Sequence, residues 1–180
     1  MLEWRIAGKL TFFSLLLFCI PAFAQSDDEA QEPAAVIEIG AVPDWSVTGP
    51  GSSFGPTAAV EMTPVKNRLE IEMGITSLFG RHSTEWSADF LFKKPWDITR
   101  TIEFMAGIGP EWVHTRARGV RTNSFAGEVV LDFMFWGANH KIGWYFEPSY
   151  DYSFRAGHEG SLGAAFGLLI GIPHRQTRSH

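Results

Sequence analysis

The sequence predicts an all-β fold, an eight-stranded antiparallel up-and-down transmembrane β-barrel. Three observations predict it. Apolar and polar side chains alternate with a period of two from residue 36 to residue 172, the alternating runs number eight, and tryptophans and tyrosines gather at the run ends. A period of two sends successive side chains to opposite faces of a strand, so every run carries one apolar face and one polar or small face.

The runs follow in chain order. Ile37 to Val47 sets Ile37, Ile39 and Trp45 against Glu38, Gly40 and Asp44. After a glycine- and proline-bearing loop, Phe54 to Thr63 sets Phe54, Ala58, Val60 and Met62 against Thr57, Ala59 and Glu61. Arg68 to Leu78 separates Leu69, Ile71, Met73 and Ile75 from Arg68, Glu70, Glu72, Gly74 and Thr76. Thr84 to Lys93 places Trp86, Phe90 and Phe92 opposite Glu85, Asp89 and Lys93, and Lys94 to Asp97 reads as a turn. Thr99 to His114 sets Ile102, Phe104, Ile108 and Trp112 against Glu103, Gly107, Gly109 and Glu111. Thr115 to Arg121 reads as a polar loop. The clearest alternation comes next. Phe125, Val129, Leu131, Phe133 and Phe135 oppose Glu128 and Asp132; after Gly137 to His140, Ile142, Trp144, Phe146, Tyr150, Tyr152 and Phe154 oppose Lys141, Glu147, Ser149 and Asp151. Gly160 to Ile172 closes the series, with Leu162, Phe166, Leu168, Ile170 and Ile172 against Ser161, Gly163, Ala165, Gly167 and Gly171.

Alternation alone does not say which face points outward, and a secreted barrel of the lipocalin type is the rival. Side-chain size favours the membrane. The polar face is rich in Gly, Ala and Ser among its charges, which suits the confined inside of an eight-stranded barrel, whereas a solvated exterior would use Lys, Thr and Gln freely. An even strand count puts both termini on one side, the periplasmic one. The turns near Pro64, Pro95 and Ala138 then fall on that side, and longer loops are expected outside. Two aromatic girdles follow: Trp45, Trp86, Trp112 and Tyr150 at the outer interface, and Trp96, Trp136 and Trp144 at the periplasmic one. Pro43, Pro56, Pro110 and Pro148 fall inside runs, where a missing N–H interrupts a ladder. Local gaps or bulges are expected there, all in the outer half.

The start of the chain agrees with export. Arg5 and Lys9 precede an apolar run that ends in Ala22-Phe23-Ala24, the pattern of a signal peptide over residues 1–24. The run is shorter than the ~20 residues a spanning helix needs. The one cysteine, Cys19, lies within it, so disulfides play no part in the mature chain. Residues 25–35, acidic and without periodicity, read as a disordered periplasmic leader, 36–172 as the barrel, and 173–180 as a periplasmic tail. The 180-residue chain carries a formal net charge of −5, and its basic residues are dense only at Arg116, Arg118 and Arg121, so nucleic acid is not an expected partner.

The last run, Ser161-x-Gly163-x-x-Phe166-x-Leu168, resembles the sorting signal of outer-membrane barrels, although the chain continues past it into HRQTRSH. Over Ile37 to Ile172 the chain resembles the small OmpA-type and OmpW-like barrels. FLFKKPW, EFMAGIGPEW, LDFMFW and GWYFEPSYDYSF are similar to an uncharacterised proteobacterial family of such proteins. The resemblance implies a monomer in the Gram-negative outer membrane that meets its lipid, lipopolysaccharide and the barrel assembly machinery. It implies an architecture and no activity.

No phosphate loop, nucleophile elbow or paired-histidine zinc motif is present, and neither a cofactor nor a metal is expected. Small barrels that deacylate or acylate lipid A provide the enzyme alternative. His158 and Ser161, three apart, fall on opposite faces of a strand, and His114 has no serine beside it in sequence, so the reading leans away from an enzyme. Arg116, Arg118 and Arg121 are candidates for contact with lipopolysaccharide phosphate. The polar face predicts a belt of inward acids, Glu72, Asp89, Glu103, Asp132 and Glu147, bridged by the bases Arg68, Lys93 and Lys141 into a network that plugs the lumen. A structural, binding or envelope-maintenance role is therefore expected first; the remaining alternative is that the acids outnumber the bases and hold a hard cation such as calcium or magnesium, or form a narrow cation or small-solute conduit.

Overall fold

The computed structural model describes residues 33–155 and 157–173. The expected signal peptide lies outside the described residues, as do most of the leader and of the tail. Among the described residues there are eight strands: β1 (Ala35–Ser46), β2 (Ser52–Val65), β3 (Leu69–Gly80), β4 (Ser83–Asp97), β5 (Ile102–Ala117), β6 (Val120–Trp136), β7 (Ile142–Ser153) and β8 (Gly160–Ile172). Each pairs antiparallel with its sequence neighbours, and β1 pairs with β8, which closes the barrel and leaves no free edge. No helix among the described residues is long and apolar enough to cross a membrane, which says nothing of strands.

Two connections differ from the expected ones. Lys94 to Asp97 is strand, not turn, and the chain turns at 98–101 instead. There the Thr99 hydroxyl accepts the amides of Thr101 and Ile102 at 3.2 and 3.0 Å, which draws that backbone out of the ladder and delays β5 to Ile102. The polar loop expected at Thr115 to Arg121 is likewise mostly strand. Its turn is Arg118-Gly119, with φ of 50° and 84°, the doubly positive geometry whose twist matches a hairpin. The length asymmetry expected between the two barrel ends is therefore not seen: connections 81–82 and 118–119 at the end remote from the termini are shorter than 137–141 at the terminal end.

The four strand prolines interrupt pairing without shifting register. The β1–β8 ladder skips Val42 and Pro43, β2–β3 skips Gly55 and Pro56, β4–β5 skips Gly109 and Pro110, and β6–β7 skips Glu147 and Pro148, with the same register on either side of each gap. The register shift lies elsewhere, between Met62 and Val65 in β2.

Parity divides the side chains. Outside, large apolar groups stand free of the protein; Ile108 is 62 % exposed and Phe125 66 %. Inside, near the terminal end, Val36, Met105, Met134, Trp136, Tyr145 and Leu169 pack into one apolar cluster. Tyr145 fits because β1 offers no side chain beneath its hydroxyl: a Cβ on Gly40 would stand 2.5 Å from Oη.

Candidate functional site

Lys93 is the centre of the interior. It is 1 % exposed, and its inward parity on β4 carries the ammonium toward carboxylates of four other strands. Nζ lies 2.9 Å from Asp132 Oδ2 on β6, 2.5 Å from Glu147 Oε2 on β7 and 3.6 Å from Glu61 Oε2 on β2, and it also pairs with Glu72 of β3. Glu38 of β1 and Glu70 of β3 are buried nearby on the same face of the wall. A charge removed from water is tolerated only when paired, and this ammonium answers to several acids at once.

Toward the end remote from the termini the interior opens into a cavity of about 240 Å³. Its wall carries Asp44, Glu85, Asp89, Glu111, Glu128 and Asp151, with Glu72 and Glu147 of the lysine cluster also lining it and Arg155 and Glu159 from the β7–β8 loop. Hydroxyls satisfy some of these acids: Thr115 Oγ1 donates to Glu85 at 2.9 Å, and Ser53 to Asp44 at 3.3 Å. Asp89 has room because β3 places Gly74 beside it, where a Cβ would come within 2.5 Å of its carboxylate.

Of the acids expected in the belt, Glu72, Asp132 and Glu147 meet at Lys93, and Asp89 lines the cavity. Glu103 does not join them. With β5 starting at Ile102, it stands one residue into its strand, opposite Asp97 and Met134 at the terminal rim. Arg68 and Lys141 are not lumen bases either. Both are exposed in turns just short of β3 and β7, where strand parity no longer directs a side chain inward. Glu38, Glu61 and Glu70 were missed as belt members, although each shares the polar parity of its run.

Among the expected girdle residues, Trp45, Trp86, Trp112 and Tyr150 are exposed on the outer wall toward the loop end, and Trp96 and Trp144 toward the terminal end. Trp96 stacks on Phe104, and Trp144 on Phe135. Trp136 belongs to neither girdle. It shares the even parity of Asp132 and Met134, so it points inward and is only 8 % exposed.

Arg116 and Arg121 face each other across β5 and β6, exposed on the outer wall beyond the Trp112–Phe125 pair. Arg116 and Arg118 join Arg81 and His82 around an open hollow of about 340 Å³. The histidines weighed for catalysis are engaged otherwise. His158 Nδ1 lies 2.9 Å from the Tyr152 hydroxyl and His114 Nδ1 2.7 Å from Asn123 Oδ1, while Ser161 donates to Asp151 at 3.4 Å.

No family model matches the chain, and no curated protein does. Solved structures do. Neisserial surface protein A (NspA) aligns with a TM-score of 0.65 and 11 % identity over 77 % of this chain and 97 % of its own. The fold is that of the small eight-stranded outer-membrane barrels. Ail, the attachment invasion locus protein of Yersinia pestis, aligns with a TM-score of 0.54 and 11 % identity, covering 78 % of this chain and 99 % of its own. The N-terminal β-barrel domain of Pseudomonas aeruginosa OprF aligns at 0.50 and 12 %, covering 78 % and 100 %.

Proposed function

We propose that the protein is an outer-membrane barrel of the OmpA/OmpW-like kind with a plugged lumen, serving as a structural or binding element of the Gram-negative envelope. The observation that carries this reading is the Lys93 cluster: one ammonium tied to carboxylates from β2, β3, β6 and β7, next to an apolar cluster packed toward the terminal end. An eight-stranded barrel has an interior that side chains can fill, and cross-strand charge pairs tie those side chains together. The exposed apolar belt between two aromatic rows supports placement in a bilayer. Fractionation tests the placement. The protein is expected in the outer-membrane fraction and to change gel mobility on boiling; a soluble periplasmic species with one mobility would contradict it.

A second reading adds a ligand at the outer rim. Like charges opposite one another on neighbouring strands repel, so Arg116 and Arg121 gain if an anion lies between them. A lipopolysaccharide phosphate has the oxygens for charge-assisted bonds to both guanidinium groups, just above the Trp112 row. Neither reading requires catalysis. Unchanged lipid A mass spectra with and without the protein are expected; a lost or added acyl chain would favour the lipid A-modifying alternative.

A further inference from the structure

We propose that the hollow between the β3–β4 and β5–β6 connections holds a saccharide phosphate of lipopolysaccharide, one rung above the Arg116–Arg121 pair. This rests on the reading of that pair as a phosphate site and adds a second phosphate to it. The hollow, about 340 Å³ and open to solvent, is lined by Arg81 and His82 of one connection, Arg118 of the other, Ser83 and Thr84 of β4 and Arg116 of β5. Three guanidinium groups share it and no carboxylate lines it. Among the described residues none of the three has an acid partner. Like charges gathered round one hollow repel, and an anion among them turns the repulsion into attraction. The Ser83 and Thr84 hydroxyls add donors for phosphate oxygens that the guanidinium groups leave over.

The hairpin turn gives an independent reason. Arg118 has φ of 50° and precedes Gly119 at 84°, a doubly positive pair that Asn-Gly or Asp-Gly fills at less cost. Turn geometry therefore gives no reason for a guanidinium at this tip, whereas the hollow beside it does. Height decides the kind of ligand. On the outer wall the register stacks Trp112–Phe125, then His114–Asn123, then Arg116–Arg121, with Trp86 beside His114 and Thr84 beside Arg116. Arg116 thus stands two residues beyond the Trp86 rung, about 7 Å along the strand and about 5 Å in height at a tilt of about 35–45°. The headgroup layer is about 5–8 Å deep on each face of a bilayer, and the tryptophans mark where it begins. Arg116 falls within that layer, and Arg118, two residues further on, falls past its outer limit. The phosphate of an ordinary phospholipid reaches the lower pair alone; a phosphorylated saccharide headgroup reaches the hollow as well.

The test uses the protein refolded in detergent and titrated with lipopolysaccharide dispersed in the same detergent. Arg118→Asn suits the positive φ of its turn, so it should keep the gel mobility of the folded barrel while binding lipopolysaccharide about tenfold more weakly and with less sensitivity to salt. Arg81→Gln, across the hollow, should do the same. Arg155→Gln, which removes one charge from the exposed β7–β8 loop, should bind as the unaltered protein does. Full binding by Arg118→Asn and Arg81→Gln, or an equal loss in Arg155→Gln, would overturn the proposal. Inorganic phosphate at equal phosphate concentration should not displace lipopolysaccharide; displacement would assign the hollow to a free anion and overturn it too. The pair is judged separately by Arg121→Ala. If that variant loses binding while the two hollow variants keep it, the hollow is overturned and the Arg116–Arg121 site stands; if the unaltered protein binds no lipopolysaccharide, both fall.

Discussion

Gly107 stands opposite Lys93 in the β4–β5 pair, and a Cβ there would come within 2.7 Å of Lys93 Cγ and 2.9 Å of Val130 Cγ2. The lysine stem thus crosses the interior through space that β5 leaves open. Gly107→Val should push the stem aside and overpack Val130, destabilising the barrel by about 1–3 kcal/mol in urea unfolding from detergent or lipid. An unaltered midpoint would mean that the stem takes another path.

Removing the charge is expected to cost more than displacing it. Lys93→Met leaves Asp132, Glu147, Glu72 and Glu61 facing one another, and breaking such a buried cluster costs roughly 3–5 kcal/mol. Arg68→Ala and Lys141→Ala, at exposed turns, should stay within about 0.5 kcal/mol. Denaturant titration of the three variants side by side checks the contrast, and equal losses would contradict the placement of the two turn residues.

That contrast also shows how far the residues themselves led. Period-two alternation was enough for eight strands, a closed barrel and the inward parity of Lys93, Glu72, Asp132 and Glu147, because parity is set by local backbone geometry. Height along the axis was not legible to the same degree. Glu103 was misplaced because Thr99 captures the turn through its own hydroxyl, and Trp136 because a ring at a strand end was assumed to face lipid despite its even parity. Convergence on Lys93 depends on the stagger between strands, which no single run records. Glu38 and Glu61 therefore could be seen as inward but not as neighbours.

Depth in the bilayer gives a further expectation. Ile108 lies on the outer wall midway along β5 between Phe104, stacked on Trp96, and Trp112. Ile108→Lys should destabilise the folded protein in lipid by about 2–4 kcal/mol, and Trp86→Lys, in the outer aromatic row, by about 0–1 kcal/mol. Refolding into bilayers across a urea series measures both. Equal costs would show that the two rows do not mark the interfaces.

At the outer rim, Arg116→Ala combined with Arg121→Ala should weaken association with lipopolysaccharide and flatten its salt dependence, since two phosphate-directed charges are lost. Lipopolysaccharide lacking phosphate should already bind the unaltered protein weakly. Binding that survives both changes would leave the arginine pair without this ligand.

The central claim is that the Lys93 cluster and the apolar layer beside it close the barrel. Planar-bilayer recording of the refolded wild-type protein tests it most directly. The structure predicts no sustained current at moderate voltage, with leak appearing once Lys93→Met opens the cluster. A steady ohmic, cation-selective current through the wild-type protein would contradict the closed interior and favour the conduit.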